Sequence, residues 1–309
     1  MPFSRRRSSA AMSHHESPDG AVRSDESTAL IARMLDSEPH HMPHPDYIHL
    51  CHNRSIHLTS RQDSINSILK VHAHFEFKPV TAFLSINYFD RFLAAHSLPE
   101  TGWSFQLLSV ACLSLAAKME ELHVPWLLDL QTLERTYIFE PKTIQRMELL
   151  VLATLNWRLR SVTPFDYLHH FISMLPSSAA SPSFDFAVHT VASNIILNTS
   201  RVIDFMRFPP SVIAAAAAIS AGGAGADLPD TLDERINREM VRSCHQLMEE
   251  YLLDTCPSSD GLKLVSAAPP SPLGVLDAAA CASCDTHSEN PADPQNKRPR
   301  LSAPDVQES

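Results

Sequence analysis

The sequence predicts an all-α fold built as two successive helical units, and three observations predict it. Apolar residues between about 60 and 253 recur at helical spacing, and strand-like runs alternating β-branched or aromatic residues with polar ones are missing. Pro79 and Pro141 stand where helices should begin, since a first-turn residue has no intrahelical partner for the N–H that proline lacks. Two runs, WSFQLLSVACLSLAAKM (103–119) and the Ala214–Ala218 stretch of PPSVIAAAAAIS, are apolar nearly all the way round, as a helix at a domain centre must be.

Element by element, the spacing predicts helices over 60–74, 79–95, 103–121, 126–134 and 141–156, separated by short breaks with proline, glycine or polar residues. A second series follows over 164–175, 184–199, 209–220 and 232–253, with Thr163 as the cap of the helix that Pro164 opens. The resulting division is a disordered tail over 1–35, a first unit over 36–160, a second over 161–255 and a second tail over 256–309. Both tails are too polar, or too rich in Pro, Ser and Asp, to bury the apolar surface that would offset the entropy of ordering.

Composition removes several classes of function. Only 7 glycines occur in 309 residues, and neither GxGxxG nor GxxxxGK[ST] is present, so the common nucleotide-binding loops are excluded. A formal net charge of -10 disfavours a nucleic-acid partner, which needs a basic field. The 6 cysteines lack a framework spacing, and neither a signal segment nor an apolar run of about 18 residues is found, so a reducing intracellular setting without a membrane partner is expected. His40, His41, His44, His49, His52 and His57 are irregularly spaced and complete no tetrahedral ligand set, and no metal or other cofactor is expected.

Two charges do not fit their helices. Ile144, Met147, Val151 and Leu155 share one stripe of the 141–156 helix, with Glu148 at its edge, where an unpartnered carboxylate would cost about 1–3 kcal/mol. Glu148 asks for a donor. Lys118 suits the last turn of its helix through the dipole, whereas Glu120 and Glu121 carry the wrong sign. On pattern alone, Lys118 can be the internal partner of Glu148, a surface charge or a contact to another protein.

INSILKVHAHFEFKPVTAFLSINYFDRFLAAH, FQLLSVACLSLAAKMEE and TIQRMELLVLATLNWRL closely resemble the cyclin box of plant D-type cyclins, over residues 58–160. VTPFDYLHHF and FMRFPPSVIAAAAAIS resemble the more variable C-terminal cyclin fold of that family. The resemblance implies two tandem cyclin-fold domains and a non-enzymatic regulatory subunit. Such a subunit binds and activates a cyclin-dependent serine/threonine kinase and promotes the G1/S transition. It also implies that Lys118 and Glu148 address the kinase backbone beside its αC helix, with Met119, Leu152 and Trp157 supplying apolar contact. Arg61 and Asp90 match the family's structural ion pair.

The chain departs from the family pattern in two places. No Leu-x-Cys-x-Glu is present, which removes the usual route to retinoblastoma-related proteins. The substrate-docking patch is degenerate, reading Ser60, Asp63, Ser64 and Ser67 beside Gln106, so weak docking of R-x-L peptides is expected. Kinase inhibitors are further expected partners. Lys297, Arg298 and Arg300 of NKRPR fit a short nuclear-import motif, giving an expected nuclear location with a cytoplasmic share. Ser17, Ser181 and Ser271 each precede proline and offer sites to proline-directed kinases. The alternative reading is a cyclin-fold transcription regulator, against which the acidic balance and the Lys118 and Glu148 positions both weigh.

Overall fold

The computed structural model describes residues 18–53, 55–99, 101–133, 136–175, 182–223, 226 and 232–255, all within the unit Met1–Ser258. Every regular element among them is helical. In order these are α1 (Pro18–Ser37), α2 (Asp46–Asn53), α3 (Ser55–His74), α4 (Pro79–Ala95), α5 (Gly102–Glu120), α6 (Pro141–Thr154), α7 (Pro164–Met174), α8 (Pro182–Thr199), α9 (Pro210–Gly222) and α10 (Arg238–Thr255).

The two all-apolar runs are the centres of the two helical units. Every side chain from Leu107 to Ala117 of α5 is buried, and α3, α4 and α6 pack around it, the alanines at 111, 116 and 117 leaving room for close approach. α9 repeats the plan, with Pro210 to Ala218 buried among α7, α8 and α10. Gly223, at φ +84°, ends α9 in a conformation that a side chain would resist.

Four expectations from the sequence are corrected. The tail expected over 1–35 is helical from Pro18, and Ile31 and Leu35, one turn apart on α1, are buried in the core of the second unit. Residues 46–53, outside any expected helix, form α2, anchored by the buried Tyr47 and Cys51. Instead of a helix over 126–134 the chain makes turns and one short 3-10 segment, Asp129–Gln131. The buried Gln131 side chain holds that loop, donating to the Leu127 and Phe139 carbonyls and accepting from the Phe139 N–H at 2.7 Å. Helix α10 starts at 238 rather than 232, because the Asn237 side chain accepts the N–H groups of Glu239 and Met240 as an N-cap. The tail expected over 256–309 lies outside the described residues.

A buried ion pair joins the units. Arg61 of α3 donates from Nε and Nη2 to both oxygens of Asp90 of α4, at 2.8 and 2.9 Å, and Tyr47 adds a third donor to that carboxylate at 3.1 Å. The same guanidinium donates to the Ser200 and Arg201 carbonyls just beyond the end of α8, at 3.2 and 3.0 Å. Both charges are almost fully buried, so removing one would leave the other unpaired, at about 3–5 kcal/mol.

Another contact between distant segments is made by Glu38, which follows α1. Its buried carboxylate accepts the Ser211 N–H at 3.0 Å and the Ser211 hydroxyl at 2.8 Å, capping α9, whose own N-cap residue is Pro209. Burial raises the Glu38 pKa above its ordinary 4.5, and the bonds from Ser211 oppose the rise. A raised value in the fold means that folding favours the protonated form. The contribution of Glu38 is therefore full below 4.5 and is lost as pH rises through the folded value. Glu38→Gln keeps an oxygen for the Ser211 N–H and carries no charge. Urea denaturation at acidic and neutral pH is expected to show a flatter stability profile for this variant, and an unchanged slope between pH 4.5 and neutrality would assign that slope to other groups.

Candidate functional site

The chain leaves the buried part of α5 at Lys118, so the last turn of that helix meets solvent beside α6. Glu148 lies midway along α6, next to the stripe of Ile144, Met147 and Val151 that faces the core. Lys118 Nζ donates to Glu148 Oε1 at 2.6 Å. The pair is asymmetric: the Lys118 side chain is 43% exposed and that of Glu148 is 9% exposed. Glu148 thus has the donor its position demands. Among the described residues, Nζ makes this one bond and Oε2 accepts none, which leaves both groups valences to offer a partner's backbone.

Apolar side chains surround the pair. Met119 follows Lys118 and is 45% exposed, Leu152 is half-buried one turn beyond Glu148, and Trp157 is 70% exposed just past the end of α6. Trp157 owes its direction to the backbone. Asn156 and Trp157 both have positive φ, at 51° and 61°, and the Trp157 N–H bonds to the Leu152 carbonyl at 2.9 Å. The left-handed conformation costs a non-glycine residue roughly 1–2 kcal/mol. Here it turns a large aromatic ring into water.

Glu121 has a different task from Lys118. Its carboxylate accepts the Lys78 N–H at 2.8 Å and the Thr81 hydroxyl, capping α4, and Lys78 Nζ donates to the Glu120 carbonyl. The wrong sign for one helix end is the right sign for the start of another. Sequence spacing did not reveal this, because the partners are 40 to 43 residues apart. It also missed Leu122 and Trp126, 92% and 83% exposed, which with Phe75, Phe77 and Val124 line a groove continuing from the end of α5.

The degenerate docking positions line one groove: Ser60, Asp63, Ser64 and Ser67 of α3 face Gln106 of α5. Ser64 and Ser67 are buried rather than presented, and Ser64 donates back to the Ser60 carbonyl. Gln106 is engaged by the Tyr137 carbonyl at 2.8 Å, and Asp63 is exposed. The import residues Lys297, Arg298 and Arg300 lie outside the described residues. Among the described residues no three His, Cys, Asp or Glu are placed to hold a metal, and no helix is long and apolar enough to cross a membrane.

The two acidic neighbours should separate in a stability measurement. Glu121→Ala strips an acceptor from the first turn of α4 and is expected to cost about 1–3 kcal/mol in chemical denaturation. Glu120→Ala, which leaves the bonded carbonyl in place, should change stability by less than about 0.5 kcal/mol. Equal losses would contradict the capping role.

Two family models match in succession: "Cyclin, N-terminal domain" over residues 29–160 and "Cyclin, C-terminal domain" over 162–263. Similar proteins include Cyclin-D4-1 of Oryza sativa subsp. japonica, 43% identical over 86% of this chain and 74% of its own length. Cyclin-D1-1 of Arabidopsis thaliana is 44% identical over 72% of this chain and 68% of its own length, and Cyclin-D4-1 of that plant is 37% identical over 88% and 87%. Among solved structures, a viral cyclin from herpesvirus saimiri shares the fold at a TM-score of 0.52 and 16% identity, covering 62% of this chain and 86% of that one.

Proposed function

The chain belongs to the plant D-type cyclins, and from that premise we propose that it binds and activates a cyclin-dependent serine/threonine kinase to promote the G1/S transition. One observation carries the reading: a charge pair half-open to solvent, Lys118 with Glu148, stands beside the exposed Met119 and Trp157. An ammonium and a carboxylate can bond to backbone carbonyl and amide groups of a partner without reading its side chains. The aromatic and thioether groups beside them supply the dry area that makes such bonds strong. Activation then follows from differential affinity: binding the inward position of the kinase αC helix more tightly than the outward one shifts that equilibrium by the difference.

The test is kinase activation by the full chain. Lys118→Ala with Glu148→Ala removes both charges together and leaves neither unpaired, so the fold should melt within a few degrees of the parent. The concentration needed for half-maximal activation is expected to rise at least tenfold, that is by about 1.4 kcal/mol or more. Trp157→Ala should cost about 2 kcal/mol of binding, roughly thirtyfold. Normal activation by the folded double variant would refute this site.

The same reading extends to location and partners. The basic residues Lys297, Arg298 and Arg300 would carry the chain into the nucleus, with a share remaining in the cytoplasm, and kinase inhibitors would bind the assembled complex. Alanine at all three basic positions is expected to shift a fluorescent fusion of the full chain toward the cytoplasm, and an unaltered distribution would reject the motif.

A further inference from the structure

One residue beyond Asp90 on α4, Arg91 is a buried cation without a counter-charge among the described residues. Only 9% of it is exposed, and its bonds all leave from Nη1, to the Asn87 side-chain oxygen, the Arg158 carbonyl and the Ser161 hydroxyl at 3.4, 3.1 and 3.0 Å. Every acceptor is neutral. Nε and Nη2 make no bond among the described residues, and Arg91 lines a cavity with Arg158, His40, His44 and Asn156. That lining contains no carboxylate; Asp46 lies 3.4 Å from the lining residue His44 at Nδ1, and both of these side chains are exposed.

The surroundings carry the same sign. Arg158 is exposed and forms no ion pair among the described residues. Burial lowers the Arg91 pKa, Tyr88 opposes this, and Arg158 lowers it further. His41, which accepts the Val162 N–H at 3.4 Å, is likewise lowered by burial and then by Arg91, His40 and Arg158. In a chain of net charge -10, the buried charge of Arg91 beside the like charge of Arg158 has a cost that an anion would reduce.

We propose that this cavity binds a phosphate monoester, and that its occupant is a phosphorylated serine or threonine of a polypeptide. A phosphomonoester brings about 1.5 to 2 negative charges and three acceptor oxygens, which match two guanidinium groups better than a single carboxylate does. Met42, Pro43, Ala94, Ala95 and Leu155 add apolar surface on which the bearing chain can rest. The choice of a polypeptide rests on the kinase-activating reading, since the product of such a kinase carries this group. The cavity lies at the linker after α6, so a phosphorylated chain held there would remain attached to the complex for further rounds of transfer.

The experiment uses the full chain without any kinase, so its outcome is independent of whether Lys118 and Glu148 activate one. A fluorescent peptide of neutral residues carrying one phosphoserine is titrated by anisotropy against its unphosphorylated twin, with inorganic phosphate as competitor. The phosphopeptide is expected to bind at least about tenfold more tightly than the twin and to weaken as salt rises. Arg158→Glu, at an exposed position, should lower its affinity at least about tenfold with a melting temperature no lower than that of the parent. Equal binding of the twin, or full affinity in Arg158→Glu, overturns the site. Displacement by inorganic phosphate at the peptide's own concentration overturns the polypeptide as occupant.

Discussion

The Arg61 guanidinium sets the relation between the two helical units, and much of the surface chemistry depends on that relation. A helix C-terminus leaves carbonyls without intrahelical donors, and beyond α8 those of Ser200 and Arg201 fall inside the protein, where water cannot serve them. Arg61 serves them, but a guanidinium taken out of water needs a counter-charge. Asp90 supplies it on both oxygens, and Tyr47 adds a further bond. Four elements, α2, α3, α4 and the end of α8, must therefore be in place together before any one of these groups is satisfied. A cluster of this kind favours one arrangement over near alternatives, because partial assembly leaves a charge buried alone. Asp90 and Arg91 are neighbours on α4: one locks the units together, and the other meets the linker between them.

A second constraint runs through the helix starts. Proline opens α4 and α9, which supplies the right φ but leaves the preceding position without a capping side chain: Lys78 before α4 and Pro209 before α9. In each case a carboxylate from elsewhere in the chain takes the cap's place, Glu121 for α4 and Glu38 for α9. By contrast α7, which Pro164 opens, is capped locally, by Asp166 accepting the Thr163 N–H and hydroxyl. Long-range caps do two things at once. They satisfy first-turn donors and fix a distant segment, so the α1 segment is fastened to the second unit and the end of α5 is fastened to the start of α4. The direction of Lys118 follows, since the residue three positions after it is held.

These constraints mark the limit of what the sequence made legible. Helical periodicity located α3 through α9 within a few residues, because burial against α5 and α9 imposes a pattern of period 3.6 that is local by nature. It misplaced the loop around Asp129–Gln131, where a buried glutamine side chain substitutes for helical bonds while the apolar pattern persists. It missed α1, whose polar first half hides the spacing of Ile31 and Leu35, and whose burial depends on a surface formed by residues nearly two hundred positions later. At the site, the misfit of Glu148 with its stripe was visible in the pattern, and the identity of its donor was one of the readings that Lys118 left open. The role of Glu121 and the solvent-facing Trp126 were not visible, since each depends on a contact or an exposure that only the fold defines.

The two charged features differ in a way that bears on how each can act. Lys118 and Glu148 already neutralise one another, and because the ammonium is nearly half in water, their attraction is worth roughly 0–1 kcal/mol. A partner's backbone can therefore share both groups at little cost, and the pair holds the exposed Lys118 ammonium in place until it does. Arg91 has no such counterpart: in the free chain its charge meets only neutral acceptors, and an added anion would neutralise it. The first arrangement suits a partner that is bound without the help of a modification. The second suits a contact that exists only after a phosphate has been placed on the other side, because an unmodified chain offers nothing to neutralise.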